Sequence, residues 1–129
     1  MIDEFVKIWD ENKNVLREQF SQKHPTDYHD LVKSVITMLA NAKIDYEKPD
    51  PERITIVNYG DYHGTLVFVI GAANYMPSRY WTVKINYGSC GGCDTLESIR
   101  NYCYDSPSGQ QVDEYMTLAL HVIQRLKEI

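Results

Sequence analysis

The chain has no run of lysine and arginine, and its acidic side chains outnumber its basic ones, 18 against 13, for a formal charge of −5 at pH 7. Proteins that bind nucleic acid directly neutralise phosphates with basic stripes, so that class is disfavoured. A mildly acidic surface suits a solvated protein, and also one that competes for a basic groove. No apolar stretch approaches the ~20 residues that a membrane span needs. The N-terminal stretch MIDEFVKIWDENK interleaves acids with apolar residues and has no signal-like apolar core, so no membrane association is expected. Cysteine is scarce and odd in number, 3 in all, which excludes a complete disulfide framework and favours a reducing cytoplasm. No internal repeat or low-complexity tract is present.

What remains is ordinary globular composition, 43% hydrophobic and 24% charged, in a length that fits a single domain over residues 1–129. From Ile2 to about Gln22, the residues Ile2, Phe5, Val6, Trp9, Leu16 and Phe20 recur at helical spacing, with Asp10, Glu11, Lys13, Arg17 and Glu18 on the other face. Pro25 ends that pattern, and Thr26 or Asp27 can cap a second helix striped by Tyr28, Leu31, Val32, Val35, Ile36 and Leu39. The two helices are expected to pair as a hairpin. The stretch Tyr46–Arg53, with two prolines among charges, reads as a linker into strands.

Three strands follow: Arg53–Tyr59, Thr65–Ala73 and Tyr80–Tyr87. The glycine-punctuated turn Gly60–Gly64 joins the first two as a hairpin. The second strand is nearly continuous in apolar residues, which predicts the central and most buried position. The third alternates, placing Trp81, Val83, Ile85 and Tyr87 on one face and Tyr80, Thr82, Lys84 and Asn86 on a wet one. A short helix over CDTLESIRNYC and a last helix, striped by Val112 to Leu126 after YDSPSGQQ, complete the order ααβββαα. The expected fold is α+β, a three-stranded antiparallel meander with helices packed on one face.

In such a meander the turn after the first strand and the loop after the third lie at the same end. Tyr59, Asp61, Tyr62, His63, Tyr87, Cys90, Cys93 and Asp94 are therefore expected on one rim, which is the candidate binding site. The loop YGSCGGCDT at Tyr87–Thr95 has several readings. Cys90 and Cys93 supply half of a tetrahedral zinc site, with His63, Cys103 or Asp61 as the remaining donors, but no second C-x-x-C or H-x-x-H accompanies them. A redox pair would profit from the helix N-terminus that follows, yet Asp94 reads as that helix's cap, with Glu97 completing a capping box. The glycines could cradle the phosphate of a small nucleotide, although no established phosphate-loop pattern is present. A thiol nucleophile would need Cys90 or Cys93 activated by His63 and oriented by Asp61. The plain alternative is a sharp strand-to-helix turn with small cysteines packed beneath it. His121, His24 and His29 read as ordinary surface histidines. The tyrosines near the rim, together with Tyr80 on the wet face, could form an aromatic contact surface.

The combination GDYHGT, YWTVKINYGSCGGCDTLESI and DEYMTLALHVIQRLK resembles a family of small proteins of tailed bacteriophages carrying a Y-G-S-C-x-G-C-D-T motif. The resemblance runs from Arg53 to the C-terminus. It implies expression in the cytoplasm of an infected bacterium and brings no catalytic residue with it. Small acidic phage accessory proteins commonly bind and inhibit host factors, including RNA-guided defence nucleases. A non-enzymatic protein acting on a host protein is thus the leading expectation, without a cofactor. A zinc- or thiol-dependent protein and a small-nucleotide sponge are the alternatives, and self-association into a homo-oligomer is left open.

Overall fold

The computed structural model describes residues 2–42, 48–60, 64–73, 79–88, 95–100 and 105–129. Two helices open the chain, α1 over Ile2–Gln22 and α2 over Tyr28–Asn41. In α1, Phe5, Ile8, Trp9, Leu16 and Phe20 are buried, a stripe at three- and four-residue spacing, while Asp10 and Glu11 face water. Asp27 caps α2, its carboxylate accepting the Asp30 N–H at 2.8 Å. Asp30 answers by accepting the Thr26 N–H at 2.9 Å and the Thr26 hydroxyl at 3.1 Å. This reciprocal arrangement satisfies donors that the first helical turn would otherwise leave unpaired. Every residue of the stripe expected for α2 is buried, and Met38 joins it.

The sheet consists of β1 (Pro49–Gly60), β2 (Gly64–Ala72), β3 (Tyr80–Tyr87) and β4 (Lys127–Glu128), antiparallel throughout in the order β1-β2-β3-β4. Between β3 and β4 run α3 (Thr95–Arg100) and α4 (Gly109–Arg125). One face of the sheet carries Phe68, Ile70, Ala72, Trp81, Val83 and Ile85, all buried. Onto this face pack α2 and α4, and α1 reaches it through an edge-on contact of Phe5 with the Trp81 ring, 6.2 Å between centroids. Among the described residues, the buried hydrophobic side chains belong to one cluster. Burying each large side chain contributes about 1.5–3 kcal/mol, which explains why two faces this regular settle against each other.

The α+β class and the antiparallel pairing agree with the expectation, whereas the three-stranded order ααβββαα does not. A fourth strand follows α4: Leu126, 1% exposed, turns into the core and lays Lys127 and Glu128 against Thr82 and Trp81. Two residues are too few for a periodic signal. The first strand also begins earlier than expected, inside the stretch read as a linker. Pro49 already pairs with Ala72, and the register shifts before Ile54. As an edge strand, β1 tolerates prolines because its outer N–H groups need no partner.

The apolar run in β2 does take the inner position, but burial there is one-sided. Phe68 and Ile70 are buried, while Val67 and Val69 are only half-buried on the other face, among Thr55, Val57, Thr82 and Lys84. That face is the wet one expected from β3. The first two helices do pack on each other, and α1 packs more extensively still on α4. Phe20 meets Tyr115 of α4 with centroids 5.7 Å apart. His24, expected in solvent, is half-buried at this junction. Its Nδ1 is hydrogen-bonded to the Tyr115 hydroxyl and its ring stands edge-on to the same tyrosine.

Candidate functional site

The meander aligns the expected rim through its flanking residues. Gly60 pairs with Gly64, and Gly64 pairs in turn with Tyr87, so the end of β1, the start of β2 and the end of β3 stand side by side. Gly60 has φ 154°, a conformation that L side chains rarely adopt and that suits the chain's reversal there. Of the residues expected on the rim, Tyr87 is placed, and the backbone of Tyr59 lies opposite Thr65. Asp61, Tyr62, His63, Cys90, Cys93, Asp94 and Cys103 lie outside the described residues. Among the described residues, no group of three or more His, Cys, Asp or Glu side chains could hold a metal ion.

What the structure does place at this rim is a cleft of about 370 Å³. Its apolar surfaces come from Ile56 on β1, Leu66 on β2 and Leu96 on α3. Ile56 is 40% exposed although it shares the core-facing side of the sheet with Phe68, its cross-strand partner. Asn58, two residues on, keeps the same side and is also exposed. The Tyr87 hydroxyl donates to Asn58 Oδ1 across the intervening strand, tying the polar end of the cleft together. A second cross-strand bond, from the Thr65 hydroxyl to Asn86 Oδ1 at 3.0 Å, fixes the same end on the opposite face.

The other wall is the start of α2, from Thr26 to His29, joined by Glu97 of α3. Two sets of bonds hold α3 against that wall. The Leu96 N–H donates to the buried Tyr28 hydroxyl at 3.2 Å. The Arg100 guanidinium donates to the carbonyls of Pro25 and of Thr26, the latter at 2.7 Å, and forms an ion pair with Glu97 at 3.8 Å. Charge-assisted bonds to backbone oxygens are stronger than neutral ones, so the α1–α2 connection and α3 form a joined wall.

The lining carries two carboxylates, Asp27 and Glu97, and no lysine or arginine among its described residues. A cleft of this size with an apolar floor and a polar, acidic margin is chemically a receptor. It can desolvate an apolar side chain and present carboxylate and amide oxygens to donors beside it. Ile56 stands next to the outer edge of β1, which has no strand partner among the described residues. An unpaired edge offers backbone donors and acceptors to an incoming extended chain.

Reading the sequence for reactive side chains directed attention to the loops and missed most of this cleft. Thr26–His29, Ile56, Asn58, Leu66 and Glu97 all line it; the sequence marks Thr26, Asp27 and Glu97 as capping groups, Tyr28 as a core residue and His29 as a surface histidine, and none of them as part of a site. One signal was available for Asn58. Ile54, Ile56 and Asn58 alternate on one side of β1, and an amide that breaks an apolar series marks where the core ends.

Comparison with protein-family models, with curated proteins and with solved structures found no match to this chain.

Proposed function

We propose that the chain is a phage or prophage accessory protein that binds a host protein and modulates it, without catalysis. Inhibition of a defence system such as an RNA-guided nuclease is the concrete form. The observation that carries this reading is the acidic-margined cleft, with Ile56 supplied by β1, a strand whose outer edge has no strand partner among the described residues. An extended host segment can add to that edge through its backbone while one apolar side chain enters the cleft over Ile56 and Leu66. Asp27 and Glu97 favour a segment with lysine or arginine next to that apolar anchor, and the net charge of −5 favours approach to a basic surface. The resemblance of the Tyr87–Thr95 loop to the phage proteins supports the setting, a bacterial cytoplasm.

The test has two parts. The protein is expressed in a bacterium with an active RNA-guided nuclease, and plating of a targeted phage is compared with and without it. The purified nuclease is then mixed with the protein and weighed by native mass spectrometry. Restored plating together with a stoichiometric complex, both lost in Ile56→Lys, is the expected result. Unchanged plating and two separate masses would remove the nuclease as target. Lack of any stoichiometric host complex in infected cells would remove the binding reading itself. The same spectra report on the alternatives, because a zinc-sized mass increment lost in Cys93→Ser would favour the metal reading.

A further inference from the structure

A second cleft, of about 390 Å³, lies at the outer edge of β3 where α4 ends and β4 begins. Its described lining is Thr82, Val83, Lys84, Gln124, Arg125 and Lys127: three cations, two neutral polar side chains and, among the described residues, no carboxylate. In a chain whose acids outnumber its bases, that concentration is the reverse of the average surface. Lys127 pairs directly with Thr82 across the β3–β4 ladder, so both lie on the same side of the sheet, and Lys84 follows Thr82 on that side by strand alternation. Arg125 is the last residue of α4.

Half of the twelve described cations already have carboxylate partners, Lys13 with Asp10 among them. Arg17 pairs with Asp113, Lys33 with Glu52, Arg53 with Asp50, Arg79 with Glu128 and Arg100 with Glu97. Lys84, Arg125 and Lys127 make no ion pair or side-chain hydrogen bond among the described residues. Glu128, the acid next to them in sequence, is turned to the other side of β4. There Arg79 holds both its oxygens, at 2.9 and 2.8 Å. The negative end of the α4 dipole accounts for a cation at Arg125. It does not account for Lys84, which comes from a strand, or for Lys127, which lies beyond the helix.

We propose that this cleft binds a compact polyphosphate group, carried by a small nucleotide or free. Three cations match the charge of a diphosphate or triphosphate, and Arg125 supplies a fork for two phosphate oxygens. The Thr82 hydroxyl and the Gln124 amide add neutral donors, and the volume falls in the range of small-ligand sites. The lining has no aromatic side chain among the described residues to stack on a base, so the phosphates are the recognised part. This site is separate from the acidic-margined cleft, and neither proposal depends on the other.

Isothermal titration of the intact protein with pyrophosphate, with ATP and with adenosine, at about 50 mM salt, tests it. Pyrophosphate and ATP bind and adenosine does not. Equal affinity for the two identifies the phosphate group itself as the ligand, and tighter binding of ATP identifies a nucleotide. Lys84→Gln, Arg125→Gln and Lys127→Gln each weaken binding about two- to fivefold, and the triple variant weakens it at least about tenfold. Lys23→Gln, at an exposed lysine just past the far end of α1 and next to the His24 that contacts Tyr115 in the first half of α4, leaves it unchanged. All three cleft cations are exposed, so melting curves of the variants should overlay that of the parent and separate a binding loss from unfolding. No heat with pyrophosphate or ATP up to about 1 mM overturns the proposal. Undiminished binding by the triple variant overturns it too. Much tighter binding of a single-stranded oligonucleotide than of ATP would replace it with a nucleic-acid site.

Discussion

Two clefts of nearly equal size adjoin one sheet, about 370 Å³ at the end where β1, β2 and β3 stand side by side and about 390 Å³ at the outer edge of β3, and they differ in what their charges are already doing. At the first, both carboxylates take part in the fold. Asp27 caps α2, and Glu97 pairs with the Arg100 that pins α3 to the α1–α2 connection. At the second, three cations have no partner among the described residues. A group already held by its own chain is positioned in advance but has less left to offer a ligand. An uncommitted cation gives up only water when a ligand arrives. The first cleft should therefore recognise shape and an apolar anchor, with charge as a secondary filter. The second should depend mainly on charge and be sensitive to salt.

The largest expected effect would abolish the comparison by loosening the scaffold that both clefts share. Trp81 is fully buried on β3, opposite β4 and in contact with Phe5, so Trp81→Ala should cost about 3–5 kcal/mol, read as a lower midpoint in urea unfolding. Ile56→Lys separates the clefts. It should weaken host-protein binding at least about tenfold, in line with loss of an interface anchor, while polyphosphate binding stays at the parental value. A change in both affinities would mean that the clefts are coupled through the sheet.

Asp27 tests whether the acidic margin acts as structure or as charge. Asp27→Ala should cost about 1 kcal/mol by removing the α2 cap. Asp27→Asn keeps a cap of similar quality, so its stability should stay close to the parent's while affinity for a basic partner falls. The smallest effect concerns Glu128. The side-chain hydrogen bond from Arg79 holds its carboxyl below the ordinary glutamate range, with Coulombic attraction from the same arginine adding to it. A depressed folded-state pKa gives stability that is fully present above the unfolded value and is lost as pH falls through the folded one. Glu128→Gln should therefore melt slightly below the parent at neutral pH. The gap should close in acid, once the pH drops below the ordinary glutamate value and then through the depressed one.

Periodicity carried most of the fold. The α1, α2 and α4 stripes and the alternation in β3 are one-dimensional records of which side faces the core; most of their members are buried, Val6 and Tyr87 are partly so, and Ile8 and Met38 join them. The start of α4 could also have been read correctly. Ser108 and Gln111 form a capping box, each bonding the other's backbone N–H, and that spacing stands plainly in SGQQ. The strand-like run through Pro49 was hidden because proline and charge signal a break, whereas at a sheet edge neither is forbidden. One-sided burial of β2 was hidden for another reason: a valine may line a core or a thinly covered face, and only its neighbours decide. The clefts were harder still. Each gathers residues from three or more elements, and no local pattern announces that Tyr28 and Leu66, or Lys84 and Arg125, share a wall.

The two-residue strand β4 has a consequence for the sign of the second cleft. Lys127 and Glu128 point to opposite sides of the ladder, one toward Thr82 and the other toward Arg79 and the Trp81 edge. A slip of one residue would exchange them, bringing an acid between Lys84 and Arg125 and leaving Arg79 facing a lysine. The Arg79–Glu128 pair therefore acts as a register lock. Together with the Ile129 N–H bond to the Tyr80 carbonyl at 2.9 Å, it determines which charge the sheet edge shows.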